Sequence, residues 1–270
     1  MVVQHNLTAM NSNRQLGITT SAQAKSAEKL SSGYRINRAG DDAAGLSISE
    51  KMRSQIRGLN KASDNAADGI SLIQTAEGAL NETHSILQRM NELATQAAND
   101  TNTSIDRNAI KAEIDQLTEE INRIQSTTQF NTMNLLDGDF SKKSLQIGAL
   151  EGHTMSVSIS KMSASAIGVS GLKVSSNASA GKSMTAIQNA IKSVSDQRSK
   201  LGAIQNRLEH TIANLDTTSE NTSAAESRIR DVDMADEMVS YSKNNILAQA
   251  GQSMLAQANQ ATQGVLSLLG

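Results

Sequence analysis

The sequence predicts a mainly α-helical protein, in which the N- and C-terminal regions form a long antiparallel helical bundle or coiled coil with one small β-hairpin. Three observations lead to this prediction. The 270 residues include no proline, which would break an interior helical turn, so the chain is suited to long helices. Apolar residues recur at helical spacing along three separate segments. A central stretch instead alternates apolar and polar residues, as a half-buried strand does.

The three apolar seams predict three helices that pack together. The first seam begins at Met52 on a helix expected from about Ala44 to Asn99, which is roughly 80 Å long and therefore requires partner helices alongside it. A turn follows, and Ser104 is the expected N-cap of the second helix. The second seam contains Ile110, Ile114, Leu117, Ile121 and Ile124, and the third contains Met184, Ile187, Ile191, Val194, Leu201, Leu208, Ile212 and Leu215.

The pattern changes between residues 130 and 180. Turns are expected at Asp137-Gly138 and Glu151-Gly152, and the alternation around them predicts a β-hairpin. Residues 163–183 are rich in Ser, Ala and Gly, so we expect a loop that leads back into helix and leaves little room for an outer domain. The alternating apolar positions are Leu145 and Ile147 in one strand, and Met155, Val157 and Ile159 in the other.

The two ends of the chain carry almost no charge. Arg14 is the one charged residue before Lys25, and none follows Lys243. The last segment keeps helical apolar spacing, with Gln and Asn at many other positions. Because buried amides can be hydrogen-bonded, whereas unpaired buried charges cost several kcal/mol, this composition favours a helix surrounded by copies of itself. Composition alone also leaves open a disordered, Gln-rich tail.

Charged connectors separate these ends from the bundle. Gly33 is expected to end the first helix as a left-handed cap, and an aspartate of Gly40-Asp41-Asp42 is expected to start the next. The C-side stretch 226–233 mixes both signs of charge, so it could lie beside the N-side connector. A solvated hinge without specific pairing agrees equally well with these residues.

Composition argues against several classes of function. A formal charge of -2 and a pI near 6.1 argue against a nucleic-acid partner, because phosphates require a clustered basic surface. Few aromatic rings and four scattered histidines predict no cofactor, no metal site and no enzyme activity. The longest apolar runs are too short to span a membrane, so no membrane partner is expected. The N-terminus also lacks the pattern of a cleavable secretory signal.

Several long motifs resemble those of bacterial flagellins. On the N-terminal side the motif is LSSGYRINRAGDDAAGL at residues 30–46. On the C-terminal side the motifs are LGAIQNRL at 201–208, ESRIRDVDMAD at 226–236 and GVLSLLG at 264–270. The resemblance covers essentially the whole chain and implies a minimal form that has core and inner-rod domains only. The chain departs from the family pattern at Thr132, where glycine is usual, so the hairpin start is expected to differ in backbone geometry.

The resemblance implies that N- and C-terminal helices pair in the core of a filament. It divides the chain into six successive segments. These are the N-terminal core helix (1–33), the N-side connector (34–43), the inner-rod domain with N-terminal helices and β-hairpin (44–182), the C-terminal helix of that domain (183–225), the C-side connector (226–240) and the C-terminal core helix (241–270).

The function implied by the resemblance is that of a structural subunit of the flagellar filament, secreted without a cleaved signal peptide and serving swimming motility. The implied partners are further copies of the chain, an export chaperone at the C-terminal region, the flagellar export apparatus, and the filament cap and hook-associated proteins. A hook-filament junction protein is the alternative, and a membrane-active helical protein is a more distant one. The expected subunit-assembly residues are Leu7, Met10, Leu16, Arg35, Arg38, Asp41, Asp42, Arg228, Arg230, Asp231, Leu247, Met254, Leu255, Val265, Leu268 and Leu269.

A second implied role concerns immune recognition. The stretch LQRMNELATQAAN at residues 87–99 resembles the region bound by the flagellin-sensing Toll-like receptor, although the family commonly has a basic residue at Asn91. Without the resemblance, the same residues indicate a partly buried seam leucine and a surface ion pair that contributes under about 1 kcal/mol. The implied receptor contacts are Arg89, Leu93, Gln96 and Glu113.

Overall fold

A computed structural model of the chain describes the backbone of residues 6–269 and the side chains of residues 6–260. The helices and strands follow one another as α1 (Leu7–Ser32), α2 (Ala43–Ala97), α3 (Ser104–Thr127), β1 (Gln129–Phe130), β2 (Met133–Asn134), β3 (Lys143–Gln146), β4 (Thr154–Val157), α4 (Asn177–Arg230) and α5 (Met234–Leu269). The predicted mainly α-helical class is confirmed.

The chain forms two compact units. The first, here called the end unit, contains Met1–Ser54 and Asn221–Gly270, and therefore includes α1 and α5. The second, here called the bundle unit, contains Gln55–Glu220. The two long helices α2 and α4 contribute to both units, because each continues across a unit boundary without a break.

The bundle unit has one continuous apolar core. It is built from α2, α3 and α4 together with the segment between β2 and the start of α4. Each buried Leu or Ile contributes about 1.5–3 kcal/mol by leaving water, so the three predicted seams account for much of the stability of this unit. The largest side chains that are fully buried here include Ile73, Leu80, Leu87, Met90, Ile114, Ile121, Ile187 and Leu201.

Helix α3 begins at Ser104, but Ser104 does not cap it. The N-cap is Thr103, whose hydroxyl accepts a hydrogen bond from the backbone N–H of Asp106. The Asp106 carboxylate in turn accepts the backbone N–H of Thr103 at 2.9 Å, which completes a capping box. The prediction of Ser104 is wrong by one residue, because an acidic residue three positions along favours Thr103.

The structure contains two hairpins, whereas the sequence predicts one. The predicted hairpin pairs β3 with β4 in antiparallel register, with Leu145 opposite Met155. The second pairs β1 with β2 around the two-residue turn Asn131-Thr132. Both turn residues have positive φ, 47° and 63°, as a type I′ turn requires. Thr132 therefore adopts the left-handed conformation that favours glycine.

Glycines let the β3–β4 hairpin lie close against α2. A Cβ atom at Gly69 would stand 2.6 Å from Cδ1 of Leu145, and one at Gly58 would stand 2.8 Å from Cβ of Ala149. Distances this short do not occur between real side chains. Leu145 could turn its side-chain end away from a Cβ atom at position 69, but Ala149 has no such freedom, so this approach requires glycine at position 58. The contact fixes where the hairpin sits on the bundle.

Helix α4 begins earlier than the sequence predicts. Its first residue is Asn177, inside the stretch expected to be a loop up to Ser183. Ser183 is buried within α4, and its hydroxyl donates to the carbonyl of Lys173 at 2.8 Å. The same hydroxyl accepts the N–H of Lys173 at 3.2 Å, so it satisfies both backbone polar groups of Lys173 in the loop before α4.

Thr132→Gly is expected to raise the free energy of unfolding by about 1 kcal/mol, because a β-branched residue at positive φ is strained and glycine is not. Thr154→Gly, in the extended backbone of β4, is expected to lower it. Urea denaturation followed by far-ultraviolet circular dichroism measures both changes. Equal destabilisation by the two substitutions would contradict the proposed strain at Thr132.

Candidate assembly interface

Helices α1 and α5 lie antiparallel and close together in the end unit. The Asn6 side-chain amide donates to the carbonyl of Ala258 at 3.0 Å near one end of the pair. Lys29 forms an ion pair with Glu237 at 3.6 Å near the other end. Cα atoms of the two helices come within 8 Å of one another. The predicted pairing of the N- and C-terminal helices is therefore confirmed.

Small residues make this close approach possible. Ser26 of α1 and Ala248 of α5 are buried. Gly251 faces Leu16, and a Cβ atom at Gly251 would stand 3.3 Å from Cδ1 of that leucine. Leu255 is half-buried one turn further along α5. The contact between the helices thus uses short side chains together with Leu16, which is one of the leucines expected in assembly.

Large apolar side chains of the same two helices remain exposed to solvent. Leu247 and Met254 of α5 are 49% and 59% exposed, while Leu7 and Met10 of α1 are 70% and 64% exposed. The buried apolar residues of the described end unit are Ile36 and Ala248. The end unit therefore has almost no core of its own. Val265, Leu268 and Leu269, which are also expected in assembly, lie outside the described side chains.

The outward surface of the pair is nearly free of charge. Arg14 donates to the side-chain oxygen of Asn11 at 2.9 Å, and the next charge along α1 is Lys25. No charged residue follows Lys243 in α5. Since few ions would have to be desolvated, this surface can be covered by another protein surface at little electrostatic cost.

The two connectors pair through their backbones. The N–H of Arg35 donates to the carbonyl of Arg230 at 2.7 Å, and the N–H of Val232 donates to the carbonyl of Gly33 at 3.1 Å. Tyr34 and Asp231 form an isolated antiparallel bridge. The predicted side-by-side arrangement is confirmed, and the alternative of a hinge without specific pairing is wrong.

The predicted caps that flank the N-side connector are also present. Gly33 ends α1 with φ of 75°, the left-handed conformation. At the start of α2, the Asp42 carboxylate accepts the N–H of Gly45 at 2.8 Å. On the C side, α4 continues to Arg230 and α5 begins at Met234, so helices include much of the stretch expected to be a connector.

Arg230 lies at the centre of the paired connectors. Its guanidinium donates to the Glu50 carboxylate at 2.8 Å and stacks over the Tyr34 ring at 4.7 Å from the ring centre. The hydrogen bond from Arg230 holds the pKa of Glu50 below its ordinary value. The Arg35 guanidinium donates to the carbonyl of Ile229. One end of α4 is thereby fixed to the start of α2 and to the N-side connector.

Asp41 organises the other part of the N-side connector. Its carboxylate accepts the backbone N–H of Arg38 at 3.0 Å, and this bond lowers the pKa of Asp41. The Arg38 guanidinium pairs with Glu28 of α1 at 3.0 Å. On the C side, Asp231 accepts the Ser227 hydroxyl at 2.6 Å, while Arg228 is exposed.

The residues expected to contact the Toll-like receptor divide between surface and core. Arg89 of α2 pairs with Glu113 of α3 at 3.0 Å and with Glu92 at 3.1 Å. The hydrogen bonds that Arg89 donates to Glu113 contribute most to the raised pKa of Arg89. Gln96 is exposed, whereas Leu93 is 2% exposed and belongs to the core. The surface available for recognition here is polar.

The described residues contain no group of three or more His, Asp or Glu side chains arranged to hold a metal ion. Within the same part of the chain, no helix is both long and apolar enough to cross a membrane.

The sequence matches two family descriptions that together cover most of its length. Residues 3–141 match the bacterial flagellin N-terminal helical region, and residues 184–269 match the bacterial flagellin C-terminal helical region. The chain belongs to the bacterial flagellin family. Flagellins are structural proteins, and the two matched regions contain the helix pair, both connectors and the bundle helices described above.

Full-length relatives support the same assignment. The flagellin of Halalkalibacterium halodurans is 58% identical over 100% of both chains. A flagellar filament 31.3 kDa core protein of Treponema maltophilum is 52% identical, and the flagellin of Bacillus subtilis is 51% identical, each over 100% of both chains. The match therefore extends through the central hairpin segment as well as the two helical regions.

Solved structures resemble parts of this flagellin. The crystal structure of Bacillus cereus flagellin has a TM-score of 0.51 and 32% identity, and the match covers 60% of this chain and 94% of that one. A flagellar hook-associated protein from Vibrio parahaemolyticus described as putative has a TM-score of 0.59 and 15% identity, covering 71% of this chain and 100% of that one. At that identity, the second likeness concerns the fold alone.

Acidification is expected to loosen the connectors. Because the folded-state pKa values of Glu50 and Asp41 are lowered, both groups stabilise the fold fully above their ordinary pKa values. That stabilisation is lost as the pH falls through the lowered values. In nuclear magnetic resonance spectra, we expect the backbone amide signals of Arg35 and Val232 to change position at pH values below the range in which carboxyl groups ordinarily titrate.

Glu50→Gln tests the origin of this pH dependence, with Glu82→Gln on the exposed surface of the same helix as the control. The pH-dependent change of the connector amide signals is expected to be smaller in the Glu50 variant and unaltered in the Glu82 variant. Two results would contradict the role given to Glu50 and Asp41. One is a change of the connector amide signals at the ordinary carboxyl pKa values, and the other is an identical pH dependence of these signals in both variants.

Proposed function

We propose that this flagellin polymerises into the flagellar filament through its α1–α5 pair, and that copies of the pair pack against one another. One observation carries the proposal. The end unit leaves large apolar side chains on a nearly uncharged surface and buries almost none in a core of its own. Burial of that surface against neighbouring subunits would stabilise the polymer by about 25 cal/mol per Å² of apolar area.

The same observation supports a fold that depends on assembly. Ordering a residue costs about 1–2 kcal/mol of backbone entropy, which buried apolar surface must offset. In an isolated subunit the α1–α5 pair buries little such surface, so we propose that the ends are disordered before assembly and become helical when neighbours surround them. The paired connectors would then hold the two ends near each other in the free subunit.

The proposal also covers how the subunit is exported and how it is added to the filament. We propose that it leaves the cell through the flagellar export apparatus without a cleaved signal, with an export chaperone bound at its C-terminal region. It would then add to the filament beneath a cap protein, next to hook-associated proteins. The exposed apolar surface of α5 supports a chaperone there, because such a surface requires shielding before assembly.

A hook-filament junction protein would share the helical ends but would be present in few copies. The identities of more than half to proteins named flagellin and flagellar filament core protein favour the filament subunit. Electron microscopy of native filaments separates the two functions. Filaments in which this chain is the bulk component would exclude the junction role, and its restriction to one end would exclude the subunit role.

Leu247→Glu is expected to abolish elongation of filament seeds while leaving the bundle unit folded. A carboxylate at this position would be buried without a partner in the polymer, which raises the critical concentration by at least about a hundredfold. Ile105→Glu is the matched control, because Ile105 is a 77% exposed apolar residue on α3 of the bundle unit. Light scattering and sedimentation measure elongation.

The control variant is expected to elongate seeds as the unmodified chain does. Normal elongation by the Leu247 variant would argue against assembly through this surface of α5. Circular dichroism of both variants checks that the bundle helices remain folded, so a failure to elongate is not confused with a failure to fold.

We also propose that the flagellin-sensing Toll-like receptor binds the exposed surface around Arg89, Gln96 and Glu113. Three features support it: the likeness of this stretch to the bound region in other flagellins, the exposure of these polar side chains, and the ion pair that holds Arg89 against Glu113 at 3.0 Å. Because Leu93 is buried, we propose that it supports the surface from beneath.

Arg89→Ala is expected to weaken binding of the receptor ectodomain by about thirtyfold, as loss of an interface arginine often does. Arg123→Ala is the matched control, since Arg123 also forms an exposed ion pair, with Glu120 on α3. Both changes should leave thermal stability nearly unaltered, because exposed ion pairs contribute little. Surface plasmon resonance measures binding, and equal affinities of the two variants would exclude the proposed role of Arg89.

A further inference from the structure

Methionine provides all the sulfur in this chain. The sequence contains 11 methionines, no cysteine and no tryptophan. Thioether sulfur accepts an oxygen atom from peroxides and hypohalous acids, and the product is the polar methionine sulfoxide. With no thiol in the chain to react first, an oxidant that meets the protein will act on its accessible methionines.

Accessibility differs between the methionines of the bundle core and several methionines of the end unit. In the bundle unit, Met90, Met155 and Met162 are buried in the core. In the end unit, Met10 of α1 and Met254 of α5 are more than half exposed. Met234 and Met238, near the start of α5, are close to half exposed. An oxidant will therefore reach the end unit before the bundle core.

Met10 and Met254 also occupy the proposed assembly surface. Met254 lines an open groove between α1 and α5, together with Asn11, Gln15, Leu16 and Leu247. The hydroxyl residues Ser12 and Thr19 also line the groove, and none of its lining residues is charged. A thioether suits such a surface, because it is apolar and adapts its shape to a neighbouring subunit.

We propose that Met10 and Met254 are oxidation sites at which sulfoxide formation blocks polymerisation of the subunit. This inference rests on the proposed assembly through the α1–α5 pair. In the reaction with hydrogen peroxide, the thioether sulfur attacks one peroxide oxygen, an S–O bond forms and the O–O bond breaks. The sulfur is oxidised by two electrons, and the peroxide is reduced to water after proton transfer.

The sulfoxide opposes assembly because its oxygen is a strong hydrogen-bond acceptor that water solvates. Packing against a neighbouring subunit removes that water, so the sulfoxide oxygen must find a donor among the amide and hydroxyl groups of the groove or remain unsatisfied. The cost of one unsatisfied polar group corresponds to about a tenfold rise in critical concentration for each sulfoxide. In the finished filament the same methionines would be covered, so oxidation acts on the subunit before it adds.

The test uses the full-length chain, filament seeds and hydrogen peroxide as the oxidant. Peptide mass spectrometry after limited treatment reports which methionines carry an added oxygen. Sedimentation then gives the critical concentration of treated and untreated protein. The Met10→Leu/Met254→Leu double variant retains apolar side chains at both positions, and Met133→Leu, at a 41% exposed position of the bundle unit, is the control.

We expect oxidation at Met10 and Met254 before Met90, Met155 and Met162. Treated protein and the treated Met133 variant are expected to show a critical concentration raised by about tenfold or more, while the treated double variant assembles nearly as well as when untreated. Methionine sulfoxide reductases of both stereospecificities are expected to restore assembly of the treated unmodified chain.

Unchanged assembly of protein that carries both sulfoxides would overturn the inference. So would loss of assembly by the treated double variant, because the inhibiting oxidation would then lie elsewhere. If untreated protein fails to elongate seeds, the proposed function fails and this inference fails with it. Normal elongation by untreated protein together with either of the first two results leaves the proposed function intact.

Discussion

The α1–α5 pair cannot bury its own apolar surface, and this constraint underlies the design of the whole chain. The two helices meet through small residues such as Ser26, Ala248 and Gly251, which bring the backbones close together. That close approach leaves the larger side chains, including Met10 and Leu247, on the outside. We propose that a pair built in this way buries too little area to offset its ordering entropy and needs other surfaces to cover it.

The bundle unit, in contrast, buries its apolar side chains within itself. Its helices bury rows of Leu and Ile against one another and against the segment that contains both hairpins. Charged side chains remain on the surface of this unit, where ion pairs such as Arg89 with Glu113 contribute little stability but give the surface a defined polarity. Stability that does not depend on neighbours is thus concentrated in the bundle, while the capacity to associate is concentrated in the ends.

The connectors keep the end unit organised despite its lack of a core. Backbone hydrogen bonds align the stretch after Gly33 with the stretch around Arg230 and Val232. Charge-assisted contacts reinforce that alignment, because Arg230 contacts both Glu50 and the Tyr34 ring. Polar interactions therefore fix the geometry where apolar packing is absent.

Periodicity explains how much of this fold could be predicted from sequence. The seams through Ile73, Ile114 and Val194 repeat over many turns, so their burial follows from spacing alone. The lack of charge after Lys243 predicts burial by neighbouring subunits, and this stays a prediction. The β1–β2 hairpin escaped prediction because strands of two residues show no alternation. The Thr103 cap could have been predicted, because Asp106 stands three residues after Thr103 as a capping box requires.

Some features of the candidate sites could also be predicted from sequence, and others could not. Motif likeness indicated Arg89, Gln96 and Glu113, and the structure places all three at the surface. The full burial of Leu93 and the stacking of Arg230 on Tyr34 depend on how helices distant in sequence approach one another. Local pattern carries little information about such contacts, so these features required coordinates.

The uninterrupted helices also have a kinetic consequence. Helices such as α2, with 55 residues, form mainly through hydrogen bonds between residues close in sequence, and helix elongation takes about a nanosecond per residue. The chain has no proline to isomerise and no cysteine to form disulfides, so the two slowest common folding steps are absent. If the ends become helical only on assembly, as proposed, neither of these two slow steps delays the ordering of a newly added subunit.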